Sequence, residues 1–235
     1  MNRSDILQIL KGGLIVSCQA EETEPLGQPF ILAAMAQSVV KGGAVAIRAD
    51  KPENIRHIMK KVSVPVIGIY KKKYRDSDVI ITPTIREAEA IWRTGVPIIG
   101  IDATKRPRPG GEKLEDIYRT LSSDRSLLLM ADISTLEEGL YAAELGFDLI
   151  ATTLSGYTVY SRQLEEPDFE LISELREKLA DRLPVIAEGR IWDPRQAVEA
   201  FRRGAYAVVI GSAITRPTLI VQRFQLAIDR FAKNE

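Results

Sequence analysis

Histidine and cysteine are almost missing from the 235-residue chain, which has one of each. A lone cysteine excludes an intramolecular disulfide and suits a reducing compartment. A lone histidine, His57, excludes a His-rich metal cluster and leaves any His-centred triad dependent on that one side chain. Charge of one sign is not in excess either: 32 Lys and Arg balance 32 Asp and Glu. The chain therefore has no overall basic footprint for nucleic acid or an anionic membrane. No apolar run approaches the ~20 residues of a membrane-spanning helix. The opening MNRSDILQILKGG interrupts its short apolar pattern with charges, unlike the core of a signal peptide, so a cytoplasmic protein is expected. A composition 45% hydrophobic and 27% charged is that of a globular chain able to bury a core without staples.

What the sequence does contain is one pattern repeated. Short apolar, β-branched runs lie at 14–19, 44–49, 65–71, 97–103, 127–133, 148–154, 184–190 and 207–213. Each ends in polar or small residues, as strands buried on both faces do. Between them run stretches with helical spacing, such as Leu136, Leu140 and Ala143, or Leu171, Leu175 and Leu179. Ser134 with Glu137, and Asp193 before Pro194, read as helix starts. Gly95, Gly146 and Gly204 fall where left-handed C-terminal caps belong. Eight strand–helix units without a linker predict one closed parallel (β/α)8 barrel over residues 1–235, with a doubly wound open sheet as the alternative. A short helix at Ser4–Leu10 is expected to close the barrel floor. Residues 71–84 form a long connection, with VIIT as an extended piece and a helix starting near Thr84.

Catalytic groups of such barrels come from the C-terminal ends of the strands and the loops after them. Those positions hold Gln19, Arg48, Lys71, Asp102, Asp132, Thr152 and Thr153, Glu188 with Arg190, and Gly211-Ser212. After strand eight, VVIGSAITRP places glycine and a helix start where free N–H groups can meet an anion. Gly189, Arg190 and Arg216, the last in the first turn of the helix after strand eight, add a glycine and two cations, so a phosphorylated substrate is expected. Lys71 projects into the mouth beside Arg48, where both the like charge and burial favour the neutral amine of a base or Schiff-base lysine, whereas Lys72 and Lys73 read as solvated. Glu188, at the end of PVIA, is placed for desolvation to raise its pKa, and Asp132 occupies the matching position on strand five. With Arg48, Lys71 and Arg190 nearby, these carboxylates need no metal for charge balance, and none is expected. His57 reads as a helix-surface residue and Cys18 as a buried, inert thiol in the barrel wall. KRPRPGG at 105–111 is a lid, a ligand rim or a solvated loop.

Together, IVSCQA, AIRA, IGIYKK, ITPT, IGIDATKRPRP, MADIS, ATTLSGYT, IAEGRI and VVIGSAITRP resemble the bacterial N-acetylmannosamine-6-phosphate 2-epimerases, from Gly12 to about Phe224. The resemblance implies a (β/α)8 fold, no cofactor, and interconversion of N-acetylmannosamine 6-phosphate with N-acetylglucosamine 6-phosphate in sialic-acid and amino-sugar catabolism. It implies that Gln19 and Arg48 contact substrate, that Lys71 and Glu188 transfer protons, and that Asp132 orients the reacting part. Arg190, Gly189, Gly211, Ser212 and Arg216 would surround the sugar and its phosphate. It also implies a homodimer, for which the helix bearing Leu219, Val221, Phe224 and Ile228 offers a face, unless that face covers the barrel wall. A Schiff-base aldolase or lyase acting through Lys71, and a non-catalytic sugar-phosphate-binding barrel, are the competing expectations.

Overall fold

The structure is a computed structural model and describes residues 1–20, 23–180 and 182–234. Eight parallel strands close into a barrel in chain order: β1 Leu14–Cys18, β2 Ala46–Asp50, β3 Val66–Ile69, β4 Ile98–Asp102, β5 Leu128–Asp132, β6 Leu149–Ala151, β7 Val185–Glu188 and β8 Ala207–Ile210. Closure through the β1–β8 pairing, Ile15 beside Val209, excludes the open-sheet alternative. Each strand is shorter than its apolar run, yet Asp50, Asp102, Asp132 and Glu188 stay in the ladder at the strand ends.

Strand parity builds two cores. Ile15, Ala46, Ile67, Ile98, Leu128, Leu149, Ile186 and Ala207 fill the barrel interior. Their neighbours Val16, Ile47, Ile99, Leu129, Ile150 and Val208 face the helices. Successive side chains of a strand point to opposite faces, so two steps beyond an inward residue the chain faces inward again, nearer the mouth. That rule carries Ala46 to Arg48, Met130 to Asp132, Ala151 to Thr153 and Ile186 to Glu188. Gly68 sits on the outward face of β3, where a Cβ would come within 2.6 Å of Ile91.

The surrounding helices are α1 Arg3–Leu10, α2 Pro29–Lys41, α3 Pro52–Met59, α4 Ile85–Trp92, α5 Leu114–Leu121, α6 Leu136–Leu145, α7 Phe169–Leu179, α8 Pro194–Arg202, α9 Ser212–Thr215 and α10 Pro217–Asn234. The floor is closed by α1, whose Ile6 and Leu10 are buried in the inner core. The α6 cap lies one residue later than the sequence suggests. Thr135, not Ser134, accepts from the Glu138 N–H while the Glu138 carboxylate reaches back, a reciprocal capping box. Asp193 forms the same motif ahead of Pro194. Gly146 ends α6 with φ 106°, a backbone angle at which a Cβ would clash. The VIIT segment pairs antiparallel with the chain after β3 through a Lys71–Ile81 bridge rather than forming a full strand.

The C-terminal region departs most from expectation. Arg216 is not in the first turn of a long helix; with φ −121° it joins the short α9 to α10. Nor does α10 cover the barrel wall: Val221, Phe224, Leu226, Ile228 and Phe231 are 58–67% exposed. Among the described residues, no helix is long and apolar enough to cross a membrane.

Candidate active site

The C-terminal ends of the strands open into a cavity of about 950 Å³. At its base Arg48 crosses from β2 to both acidic strand ends. Its Nη1 and Nη2 donate to Asp132 Oδ1 and Oδ2 at 2.9 and 2.7 Å, a bidentate fork, and Nη1 also donates to Glu188 Oε2 at 2.5 Å. Arg48 and Asp132 are 1% and 0% exposed, and Glu188 is 14% exposed. Burial works against the Arg48 cation, but the two carboxylates outweigh it and hold its pKa above the ordinary arginine range. Burial likewise pushes the Glu188 carboxyl above its ordinary value, aided by Asp132 and opposed by Arg48, Thr153 and Lys71. Arg48 thus bonds two carboxyl groups, of which Glu188 is the more accessible.

Lys71 lies two residues beyond β3 and lines the cavity, but it is exposed rather than buried as expected. Its backbone N–H donates to Asp50 Oδ1 at 2.7 Å, which fixes where the side chain leaves the strand. In the ring of eight strands β3 and β7 are diametrically opposed, so Lys71 and Glu188 flank the cavity from opposite sides. Lys72, expected to be solvated, pairs with the buried Glu87 at 3.0 Å, and Tyr74 donates to the same carboxylate. That contact turns Lys72 away from the mouth and pins the connection after β3. Gln19 follows β1, lines the cavity and donates from Nε2 to Ser17 Oγ at 2.7 Å.

The opposite rim is formed after β7 and β8. Gly189 and Arg190 take φ 112° and 57°, two consecutive left-handed residues that reverse the chain above Glu188. The Arg190 guanidinium donates to the carbonyls of Ser155 and Gly156 at 2.6 and 2.8 Å and lies over the Tyr157 ring at 4.2 Å. It thereby ties the β6–α7 loop to the rim. Gly211 and Ser212 line the same side, and a Cβ on Gly211 would come within 3.3 Å of Ser17. Arg216 also lines the cavity and is ion-paired with Glu24. Gln19, Arg48, Lys71, Glu188, Gly189, Arg190, Gly211, Ser212 and Arg216 therefore share one cavity, with Asp132 directly beneath.

Other positions resolve differently. Asp102 is fully buried and held by Thr104 and by Arg106 at 2.7 Å; burial raises its pKa, and its role is to aim Arg106 into the cavity. In the 105–111 loop Arg106 reaches the cavity and Arg108 anchors the backbone, while Lys105, Pro107, Gly110 and Gly111 are exposed. Arg108 is buried against the carbonyls of Pro83 and Asp102, and the Lys105 N–H donates to Glu138 at 2.9 Å. Burial drives the Cys18 thiol up to about 12, so it stays protonated. His57 lies on α3 with Nδ1 at 3.0 Å from the Glu53 carbonyl, outside the cavity. Among the described residues no cluster of three or more His, Cys, Asp or Glu is arranged to hold a metal. Sequence reasoning left Thr153 and the overhanging Tyr157, Thr158 and Val159 without a role. Thr153 stood in the ring of strand ends, and parity would have chosen it over Thr152, since it lies two residues past the inward Ala151.

Comparison with known proteins bears on this cavity. A family model described as "NanE: Putative N-acetylmannosamine-6-phosphate epimerase" matches residues 32–230. A Caldanaerobacter subterraneus protein named "Putative N-acetylmannosamine-6-phosphate 2-epimerase" is 54% identical over 94% of this chain and 92% of its own. A protein of the same name from Clostridium perfringens is 48% identical over 93% and 98%. The solved N-acetylmannosamine-6-phosphate 2-epimerase of Clostridium perfringens superposes with a TM-score of 0.90 at 47% identity, covering 94% of this chain and 95% of that one. A thiamine phosphate pyrophosphorylase from Pyrococcus furiosus, at 16% identity and a TM-score of 0.60, shares the fold alone. By family model, sequence identity and superposition together, the chain belongs to the N-acetylmannosamine-6-phosphate epimerase family.

Proposed function

We propose that the protein interconverts N-acetylmannosamine 6-phosphate and N-acetylglucosamine 6-phosphate by removing and returning the proton on C2. The observation that carries this reading is the pairing of Lys71 and Glu188 across one cavity, in a chain about half identical to proteins named for this activity. The C2 proton is acidified by the C1 aldehyde of the open-chain sugar, and its loss leaves an enolate. Neutral Lys71 takes the proton from one face, and Glu188 in its acid form returns one to the other; the reverse reaction exchanges the roles. The direction of the Glu188 shift, upward through burial, favours its acid form. The Arg48–Asp132 pair holds Glu188 in place, and its positive end faces the developing negative charge. A second reading is favoured by the 2.5 Å contact between Arg48 and Glu188. There Glu188 stays ionised and orients the sugar while Lys71 both removes and returns the proton.

The phosphate is assigned to the rim of Gly189, Gly211, Ser212 and Arg216, which line the cavity and include a cation. Binding the phosphate far from C2 supplies orientation at the reacting carbon. The mechanism uses no cofactor or metal. A second copy of the chain is the proposed partner, because α10 leaves Val221, Phe224 and Ile228 uncovered, as well as Leu226 and Phe231. A cytoplasmic location fits the single, buried cysteine.

Incubation with N-acetylmannosamine 6-phosphate in D2O is expected to yield the gluco epimer carrying deuterium at C2, and Lys71→Ala is expected to lower turnover by about 10²–10⁴-fold. Epimerisation without C2 exchange would rule out the proton-transfer mechanism. A lysine adduct trapped by borohydride would point to a Schiff-base enzyme instead.

A further inference from the structure

The loop between β6 and α7 reaches over the cavity, yet the chemistry above gives it no part. Tyr157, Thr158, Val159 and Tyr160 line the cavity from this segment. The segment is closed on itself: the Gly156 N–H donates to Ser161 Oγ at 2.8 Å, and Ser161 Oγ donates to the Thr158 carbonyl at 3.0 Å. Two side chains from elsewhere fasten it. On the β5 side the Tyr160 hydroxyl donates at 2.7 Å to the fully buried Glu138, whose carboxylate also accepts the Lys105 and Ser134 N–H groups. On the β7 side Arg190 donates from Nη1 and Nη2 to the Ser155 and Gly156 carbonyls and covers the Tyr157 ring. The approach is so close that a Cβ on Gly156 would stand 2.5 Å from Arg190 Nη2. Arg190 itself holds φ 57°, a left-handed angle that persists in a non-glycine residue where surrounding contacts enforce it.

We propose that Arg190 is a positioning residue: it latches the 156–161 overhang across the cavity and shapes the sugar site without touching the substrate. A guanidinium that grips a phosphate does so with a planar fork of N–H groups. In Arg190 both terminal nitrogens donate to main-chain carbonyls, and one face lies on an aromatic ring. Two adjacent residues thus divide the work, Gly189 lining the rim and Arg190 holding the overhang. Because the overhang is fastened from both neighbouring strands, releasing Arg190 frees one side and leaves the Glu138 side attached. A binding site present in only a fraction of the molecules shows an affinity lowered by that fraction. An overhang in place about a tenth of the time therefore raises KM about tenfold. The turnover number is held, because the overhang encloses substrate and transition state alike.

The inference rests on the epimerase reading above, and kinetics with N-acetylmannosamine 6-phosphate separates the two. Arg190→Met removes the latch, and Arg190→Lys keeps the cation without the fork. Both should raise KM about tenfold and hold kcat within about threefold. Tyr157→Leu should raise KM about two- to fivefold. Combined with Arg190→Met it should be no worse than Arg190→Met alone, since both act through one contact. Tyr160→Phe, which frees the other side, should likewise raise KM with kcat held. Recovery of KM in Arg190→Lys, or fully additive effects of Tyr157→Leu and Arg190→Met, would show a cation acting on the substrate and overturn the latch. A fall in kcat at constant KM overturns it too, as does a lower melting temperature with KM unchanged. If the Arg190 variants do not fold, Tyr157→Leu and Tyr160→Phe decide alone, and an unchanged KM in both overturns the proposal. A wild-type protein that leaves the sugar unconverted overturns the functional reading itself, and this inference with it.

Discussion

Removing Arg48 tests the electrostatic centre of the site most directly. Arg48→Met keeps most of the side-chain volume and deletes the cation that bonds both Asp132 and Glu188, which are 0% and 14% exposed. Breaking a buried ion pair from one side costs about 3–5 kcal/mol, because the remaining charge stays desolvated. At roughly 2–4 °C per kcal/mol for a chain of this length, the melting temperature should fall by about 6–20 °C near neutral pH. The loss should itself depend on pH. Glu188 is already held above its unfolded pKa by burial, and Arg48 is what restrains that rise, so the variant raises it further. A group whose folded pKa exceeds its unfolded value contributes stability that is complete below the unfolded pKa and disappears as pH rises through the folded one. The gap between wild type and Arg48→Met should therefore be small at about pH 5 and large at about pH 8.5. Thermal unfolding followed by circular dichroism across that range measures it. Adding Asp132→Asn and Glu188→Gln to Arg48→Met should recover stability at high pH, since no uncompensated charge remains. A gap that is constant with pH, or below about 1 kcal/mol throughout, would show that the three groups do not form the charge-coupled unit described.

Two further outcomes follow from other elements. Asp193→Ala removes the capping box of α8 and should cost about 1 kcal/mol, read as a melting shift of a few degrees with C2 exchange unchanged. Phe224→Asp with Phe231→Asp should place charge on the apolar face of α10 and convert a dimer to a monomer in sedimentation equilibrium, whereas a wild-type protein that already sediments as a monomer would refute the second-copy proposal.

How far the site could be read in advance depended on how local its determinants are. The barrel was legible because eight apolar runs, each ending in a polar residue, encode both the strands and their direction. Parity then decides which polar residues face inward, and this works wherever the strand continues straight: Arg48 and Asp132 follow from it without any tertiary information. The partnership of Arg48 with strands five and seven did not follow, because it depends on the length of the guanidinium stem crossing the barrel interior. Lys72 was misread for a related reason. Its partner Glu87 lies 15 positions on, past a turn whose course is set by Tyr74 and the Lys71–Ile81 bridge, and a run of three lysines looks solvated without that turn. Arg216 shows the same limit at a chain reversal. The sequence ITRP reads as a helix start, yet Pro217 restricts the backbone of the residue before it, and that restriction splits α9 from α10. The proline was visible in the sequence, and weighing it would have separated the two helices. It would also have set α10 apart from the barrel helices, whose apolar faces are covered by the sheet.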